Sequence, residues 1–180
     1  MKGDGLEPRL AELLRPVRLV ALDVDGTLTD GAVTVSGGGG EELRFSVVDG
    51  FGIKELQRAG IVVAWITGRS SPATVARAEG LQVTELHLGQ LHKTAALRSI
   101  QERLGIAPRE TVAMGDDLPD LSLRPCVGFL AAPANARPEM LSRADFVTHA
   151  HGGAGAVREL AEMILRAQGR WAAIVASYGA

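Results

Sequence analysis

Short, almost uninterrupted apolar runs alternate with longer amphipathic segments, and this alternation is the strongest constraint on what the chain can fold into. Six runs are predicted to be strands, at 18–24, 61–67, 83–88, 111–115, 126–131 and 144–148. Helices are predicted at 50–59, 72–79, 92–104, 136–142 and 153–168. Strands that are buried on both faces read as continuous apolar runs. The pattern therefore predicts an α/β fold in which a mainly parallel sheet carries helices on both faces.

Residues 31–48, GAVTVSGGGGEELRFSVV, interrupt this alternation. Two β-like runs flank a stretch of glycines, which is typical of a β-hairpin with a flexible tip. A phosphate-binding loop would need a lysine and a strand-to-helix setting, and the stretch has neither. We therefore predict a β-hairpin insertion after the first strand.

Length and composition are those of a single globular domain. The 180 residues are 46% hydrophobic and 22% charged, with a formal net charge of −2 and no basic block, so neither nucleic-acid nor membrane binding is indicated. No apolar run approaches the ~18 residues of a membrane span, and the N-terminal residues carry no signal-peptide pattern. The single cysteine, Cys126, fits a reducing compartment and a buried packing role. We predict a cytoplasmic protein.

Polar residues stand at or just after the carboxyl ends of four of the predicted strands, where an open parallel sheet binds its ligands. In strand order they are Asp23 and Asp25, then Thr67, Gly68 and Arg69, then Lys93, then Asp116 and Asp117 with Asp120 one helical turn further. Any one of them could be a helix-capping residue. Capping does not explain the set, because aspartates are paired at two strand ends and Lys93 begins a helix, where a cation opposes the helix dipole.

Several carboxylates in one crevice require a cation to offset their repulsion. No histidine or cysteine cluster accompanies them, and hard oxygen ligands favour Mg²⁺, which commonly binds one or two carboxylates together with a substrate phosphate. The hydroxyl of Thr67, the backbone amide of Gly68 and the ammonium of Lys93 would bind that phosphate. The strand ends therefore indicate metal-assisted phosphoryl transfer.

These residues resemble the four motifs of the haloacid dehalogenase (HAD) superfamily, which stand here as DVDGT (23–27), ITG (66–68), Lys93 and GDDLPD (115–120). The second acidic residue, Asp25, is typical of the phosphatases of that superfamily and not of its dehalogenases. Residues of about 17–170 further resemble the 3-deoxy-D-manno-octulosonate 8-phosphate (KDO 8-phosphate) phosphatases and related sugar-acid phosphatases. The stretches that carry this are DVDGTLTDG, VDGFGIKEL, ITGRSS, GQLHK, GDDLPDL, RADFVTHAHGGAGAVREL and RAQGRW.

The resemblance implies a Rossmann-like core without a cap domain, Mg²⁺ as cofactor and a homotetramer. It divides the chain into an N-terminal extension (1–16), a HAD phosphatase domain (17–170) and a C-terminal tail (171–180). Hairpins would pack together at the tetramer centre, and the segment near Gln168-Gly169-Arg170 would reach a neighbour's site. The distance in sequence between Asp25 and Asp49 also indicates that there is no cap domain, because residues 26–48 suffice for a hairpin but not for a lid domain.

The resemblance also implies a role for each acidic residue. Asp23 is the nucleophile that forms an aspartyl-phosphate, and Asp25 protonates the leaving alcohol and then activates water. The metal ligands would be Asp23, Asp116 and the main-chain carbonyl of Asp25. Asp117 and Asp120 would orient metal-bound waters or Lys93.

Two positions depart from the subfamily pattern. Val48 stands where relatives usually have a basic residue, and His92 stands where a smaller polar residue is usual. Arg69, directly after Thr67-Gly68, is the candidate for binding the carboxylate of a sugar acid, because a guanidinium can hold a carboxylate bidentately. The alternative is a surface arginine that caps the next turn.

The function predicted from the sequence is Mg²⁺-dependent hydrolysis of a sugar-acid phosphate, with KDO 8-phosphate as the first choice. A phosphatase for a nine-carbon sialic-acid-type 9-phosphate and a broad-specificity sugar phosphatase remain open. A phosphomutase is disfavoured because it needs a lid to retain its intermediate. A non-catalytic module that helps a sugar nucleotidyltransferase assemble is disfavoured by the complete catalytic set.

Overall fold

Eight strands and eight α-helices form the described part of the chain, residues 6–179, in the computed structural model. The strands are β1 (Leu19–Leu22), β2 (Thr34–Val35), β3 (Glu41–Glu42), β4 (Val62–Ile66), β5 (Glu85–His87), β6 (Thr111–Met114), β7 (Phe129–Ala132) and β8 (Phe146–Val147). The helices are α1 (Pro8–Leu14), α2 (Val47–Arg58), α3 (Pro72–Gly80), α4 (Lys93–Leu104), α5 (Leu118–Leu121), α6 (Pro138–Leu141), α7 (Ala156–Ala167) and α8 (Trp171–Ser177).

Six of the strands form one sheet in the order β5-β4-β1-β6-β7-β8, and every neighbouring pair is parallel. This is the strand order of the Rossmann fold, whose switch point lies between β1 and β6. Leu22 at the end of β1 is level with Trp65 of β4 and Met114 of β6. The residues that follow these strands therefore emerge side by side at one edge of the sheet.

Helices cover both faces of the sheet, which confirms the predicted α/β architecture. Along β1, Val20 and Leu22 belong to a core that includes Leu14 of α1, Ile53 of α2 and Leu160 of α7. Leu19 and Ala21 point to the opposite core, which includes Leu97 and Ile100 of α4 and Met140 of α6. Alternate strand residues thus serve two separate apolar cores, as expected for a sheet that is buried on both faces.

The predicted hairpin is present, but its second strand lies earlier than the apolar pattern indicated. β2 pairs with β3 in antiparallel register, with Val35 opposite Glu41. Val47 and Val48, which the sequence analysis placed in the hairpin, form the first turn of α2. The Ser46 side chain caps that helix by accepting a hydrogen bond from the Asp49 amide at 3.3 Å. The cap outweighs the β preference of two valines, so the helix begins before the predicted residue 50.

The two ends of the chain pack on the same core. Leu14 of α1 is buried in it, and Trp171 of α8 is nearly so. Gln168 donates from Nε2 to the Val17 carbonyl oxygen at 2.8 Å, and Arg170 donates to the carbonyl of Ala59. Gln168 and Arg170 are therefore bonded within their own chain, and the reach of this segment to a neighbour's site stays a prediction. Residues 1–5 and 180 lie outside the described range, and the three-part division of the chain stays a prediction. Among the helices described, none is long and apolar enough to cross a membrane.

Asp49 links α2 to α7. Its carboxylate accepts hydrogen bonds from the backbone amides of Gly155, at 3.2 Å, and Arg158, at 2.8 Å, in the first turn of α7. The residue is 1% exposed, and its burial raises the pKa of the carboxyl although these hydrogen bonds oppose the shift. Asp49 therefore supplies the acceptors that the N-terminus of α7 cannot find within its own helix.

We expect Asp49→Ala to lower the free energy of unfolding by about 1–2 kcal/mol, the loss typical of a removed helix cap. Asp49→Asn should cost less, because its amide oxygen keeps one acceptor. Urea unfolding followed by circular dichroism measures both variants. Equal losses in the two would show that the negative charge, and not the acceptor geometry, matters.

Candidate active site

The polar residues that follow four strands line one cavity of about 230 Å³ at the carboxyl edge of the sheet. All nine residues singled out from the sequence contribute to it: Asp23, Asp25, Thr67, Gly68, Arg69, Lys93, Asp116, Asp117 and Asp120. Gln90, Leu91 and Pro119 also line it and were not singled out. The residues at the ends of four separate strands therefore meet in one cavity, as the sequence predicted.

Lys93 joins two carboxylates at the floor of the cavity. It is the first residue of α4, is 3% exposed, and donates from Nζ to Asp23 Oδ1 and, at 2.6 Å, to Asp120 Oδ1. Burial disfavours the ammonium, but the charges of Asp23 and Asp120 outweigh it and raise the pKa of Lys93. One buried ammonium therefore contacts the carboxyl groups of two aspartates.

Asp120 uses both of its oxygens within the chain. While Oδ1 holds Lys93, Oδ2 accepts hydrogen bonds from the backbone amides of Asp116, at 3.0 Å, and Asp117, at 3.3 Å. These bonds fix the loop that follows β6 and the orientation of Lys93 together. Asp120 is therefore placed to orient its neighbours.

The carboxyl groups of Asp23 and Asp116 both have raised pKa values. Burial, followed by repulsion from Asp120, raises the pKa of Asp23 to about 8 although Lys93 opposes the shift. Burial and the charges of Asp120 and Asp117 raise the pKa of Asp116 to about 6. Among the residues described, Asp23, Asp116 and Asp120 bring one oxygen each within 4.8 Å of one another. This all-oxygen donor set with excess negative charge fits a hard divalent cation such as Mg²⁺.

Asp25 has a different environment from Asp23. Its Oδ2 accepts a hydrogen bond from Thr67 Oγ1 at 3.1 Å, and its Oδ1 lies 3.5 Å from Arg69 Nε. The Thr67 hydroxyl in turn accepts from the Arg69 amide at 3.1 Å. The two aspartates of one strand end are therefore held by different partners, one by the lysine and one by the loop after β4.

Two further predicted residues lie at the margin. Asp117 is exposed, and its Oδ1 caps α5 by accepting from the Leu118 amide at 2.7 Å. His92 is exposed at the residue before α4 and makes no capping bond with its side chain.

Comparison with known proteins agrees with this geometry. Residues 79–160 match the family model of haloacid dehalogenase-like hydrolases. The chain is 42% identical to the KDO 8-phosphate phosphatase of Salmonella typhimurium, over 92% of this chain and 88% of that protein. It is 44% identical to the enzyme of Escherichia coli K12, over 86% of this chain and 82% of that protein.

A solved structure agrees as well. The KDO 8-phosphate phosphatase of Moraxella catarrhalis, in complex with magnesium ion, phosphate ion and KDO, superposes with a TM-score of 0.93 at 36% identity, covering 96% of this chain and 99% of that one. The chain belongs to the KDO 8-phosphate phosphatase family of HAD-like hydrolases. The resemblance identified from the motifs is confirmed.

The glycine-rich loop at residues 151–155 packs against the backbone that follows Asp25 in this phosphatase-family chain. No role was assigned to this loop from the sequence. A methyl group on Gly152 would overlap the carbonyl oxygen of Gly26, and Gly153 donates from its amide to the Thr27 oxygen at 3.0 Å. Gly26 itself has φ +93° and lies against the Asp116 carboxylate, so no side chain fits there. The signal was the HGGAG stretch, which the family resemblance included.

We expect Gly152→Ala to reduce turnover strongly, because the added methyl group would displace the backbone between Gly26 and Thr27 and with it Asp25. Gly80→Ala, at an ordinary φ with open space around it, is the matched control and should keep its activity. Phosphatase kinetics and circular dichroism on both variants test this. An active, folded Gly152→Ala variant would contradict the proposed close approach.

The raised carboxyl pKa values predict a pH dependence of stability. An unfolded aspartate ionises near 3.8, whereas burial in the fold raises the pKa of Asp23 to about 8. Between these values the native state binds more protons, so its free energy of unfolding should fall as pH rises. A bound divalent cation replaces the proton and should flatten the decline. Urea unfolding at pH 5 to 8 with EDTA or with Mg²⁺ measures this, and parallel curves would contradict it.

Proposed function

We propose that this chain is a Mg²⁺-dependent phosphatase that hydrolyses KDO 8-phosphate through an aspartyl-phosphate. The observation that carries the proposal is the separate fixation of Asp23 by Lys93 and of Asp25 by Thr67 within one cavity. Such a site offers one carboxylate to phosphorus and a second to protons. The family relatives named above act on KDO 8-phosphate, and the Moraxella relative contains Mg²⁺, phosphate and KDO.

Asp23 and Asp116, together with the main-chain carbonyl of Asp25, would hold Mg²⁺. When bound, the ion neutralises these carboxylates and stabilises negative charge on the phosphoryl oxygens. The phosphate would be held by the Lys93 ammonium, the Gly68 amide and the Thr67 hydroxyl, whose single proton would turn from Asp25 to a phosphate oxygen. The hydrogen bond from Lys93 Nζ to Asp120 Oδ1, at 2.6 Å, would keep the ammonium in position.

The reaction has two halves. The Asp23 carboxylate attacks phosphorus, and the sugar oxygen leaves with a proton from Asp25. Asp25, now ionised, takes a proton from a water molecule that attacks the phosphorus of the aspartyl-phosphate. Phosphate is released, Asp23 is regenerated, and Asp25 is again protonated.

A panel of substrates tests the proposal. With Mg²⁺, kcat/KM should be highest for KDO 8-phosphate, lower for a sialic-acid-type 9-phosphate and a neutral hexose phosphate, and lost in EDTA. The panel is needed because Val48 replaces the basic residue that is usual in relatives. Preference for the neutral sugar phosphate or for the nine-carbon acid would overturn the assignment of the substrate. It would leave the assignment of phosphatase activity intact.

The division of roles between the aspartates predicts a leaving-group effect. Asp23→Asn should abolish turnover with the fold intact. Asp25→Asn should slow hydrolysis of an alkyl phosphate by roughly 10²–10⁴-fold, the usual contribution of a general acid–base group. With an aryl phosphate, whose leaving group needs no proton, the loss should be smaller. Equal losses on both substrates would rule out Asp25 as the leaving-group acid.

We also propose a cytoplasmic homotetramer in which residues 17–170 form the catalytic domain. Apolar side chains at Val35 of the hairpin and at Val47 and Val48 of α2 are exposed, and this apolar surface is suited to hairpin packing between subunits. Leu91 beside the cavity is 78% exposed, so a cover for the site would come from another subunit. Light scattering after size-exclusion chromatography measures the oligomeric state. A monomer would refute the proposed tetramer.

A further inference from the structure

One side chain of the β2–β3 hairpin reaches the mouth of the active-site cavity. Glu41 Oε2 accepts a hydrogen bond from Arg69 Nη2 at 2.8 Å. On its other side, Arg69 Nε lies 3.5 Å from Asp25 Oδ1. The guanidinium that lines the cavity is therefore placed between two carboxylates before any substrate carboxylate arrives.

The Glu41 contact is of a kind that exchanges readily. The side chains of Arg69 and Glu41 are 42% and 36% exposed, and ion pairs this accessible to water stabilise only weakly. Each hairpin strand has two residues, both exposed, and four of the five connecting residues, 37–40, are glycine. Releasing Glu41 therefore breaks one weak pair and disturbs no buried contact of β2 or β3.

A sugar acid presents the same chemical group to Arg69 as Glu41 does. A guanidinium binds a carboxylate best when two of its N–H groups are available on one side. In this structure Nη2 donates to Glu41 and Nε faces Asp25, so a carboxylate that binds the Nε–Nη2 side of the guanidinium would replace the hairpin residue. A neutral sugar has no group that can make this exchange.

We propose that Glu41 is an internal stand-in for the substrate carboxylate, which displaces it from Arg69, so that Glu41 sets the affinity for acidic sugars. The inference rests on the proposed function, because it takes a sugar-acid phosphate as substrate. It makes Glu41 a specificity-determining residue that contacts neither the phosphate nor the nucleophile. It also gives the hairpin a part in substrate selection within its own subunit.

Steady-state kinetics of Glu41→Gln on KDO 8-phosphate and on a neutral hexose phosphate test the proposal. We expect KM for the acid to fall about two- to fivefold, the range that the loss of one weak ion pair allows, with kcat unchanged. KM for the neutral sugar phosphate should not change. Glu42→Gln is the matched control, because Glu42 lies on the same strand and makes no ion pair among the residues described. An unchanged or raised KM for the acid, or an equal fall for both substrates, overturns the proposal.

A second experiment measures the effect of Glu41→Gln in a variant that already carries Arg69→Ala. There the Glu41→Gln change should have no further effect on KM for the acid, since the competition needs the guanidinium; a persisting effect would overturn the stand-in role. Wild-type activity separates this inference from the function it rests on. Hydrolysis of KDO 8-phosphate without a Glu41 effect refutes only the stand-in. Hydrolysis restricted to neutral sugar phosphates refutes both proposals, and preference for another sugar acid moves the same test to that acid.

Discussion

The buried ammonium of Lys93 is the interaction on which the rest of the site depends. It holds Asp23 from β1 and Asp120 from α5, and Asp120 holds the backbone after β6. Three segments that are far apart in the sequence are thereby locked to one point. One ammonium cannot balance two carboxylates together with the nearby Asp116, and the remaining negative charge is what a divalent cation would neutralise. The same excess of negative charge that makes the site unfavourable in isolation favours binding of a divalent cation, which in turn would offset the repulsion between the carboxylates and a phosphate.

The sheet makes this arrangement possible without a separate lid. β1 and β6 are neighbours in register on either side of the switch point, so Asp23 and Asp116 emerge together. Close backbone packing at Gly26 and Gly152 then brings the loops after β1 and β8 into contact. Asp49 anchors the helix that follows the second of these loops. The chemistry is therefore supported by main-chain contacts and helix capping as much as by the acidic side chains.

Most of the fold and the lining of the site could be predicted from the sequence, for physical reasons. Strands buried on both faces are continuous apolar runs, and residues at the ends of parallel strands have to meet, so Asp23, Thr67, Lys93 and Asp116 were predictable as a group. The predicted start of α2 at residue 50 was wrong, because the β preference of Val47 and Val48 favoured a strand over the helix cap at Ser46.

Contacts between distant segments could not be predicted from the sequence around each partner. α8 was not predicted, because its burial depends on contact of Trp171 with a core built by other segments. The close approach of Gly152 to Gly26 and the pair between Glu41 and Arg69 likewise join distant segments. Trp171 and Glu41 are ordinary residues when only their neighbours in the sequence are considered, and the HGGAG stretch does not by itself indicate which segment it contacts. Their importance appears only once the fold brings the partners together.

The central claim is that Asp23 carries the phosphoryl group while Asp25 serves both halves of the reaction. Its most direct test uses the Asp25→Asn variant with an aryl phosphate and Mg²⁺, because phosphorylation then needs no acid whereas dephosphorylation lacks its base. The protein is quenched during turnover, reduced with borohydride, which converts an aspartyl-phosphate to homoserine, and mapped by mass spectrometry. The account predicts homoserine at position 23. Turnover with no modified residue, or with the modification at another residue, would contradict it.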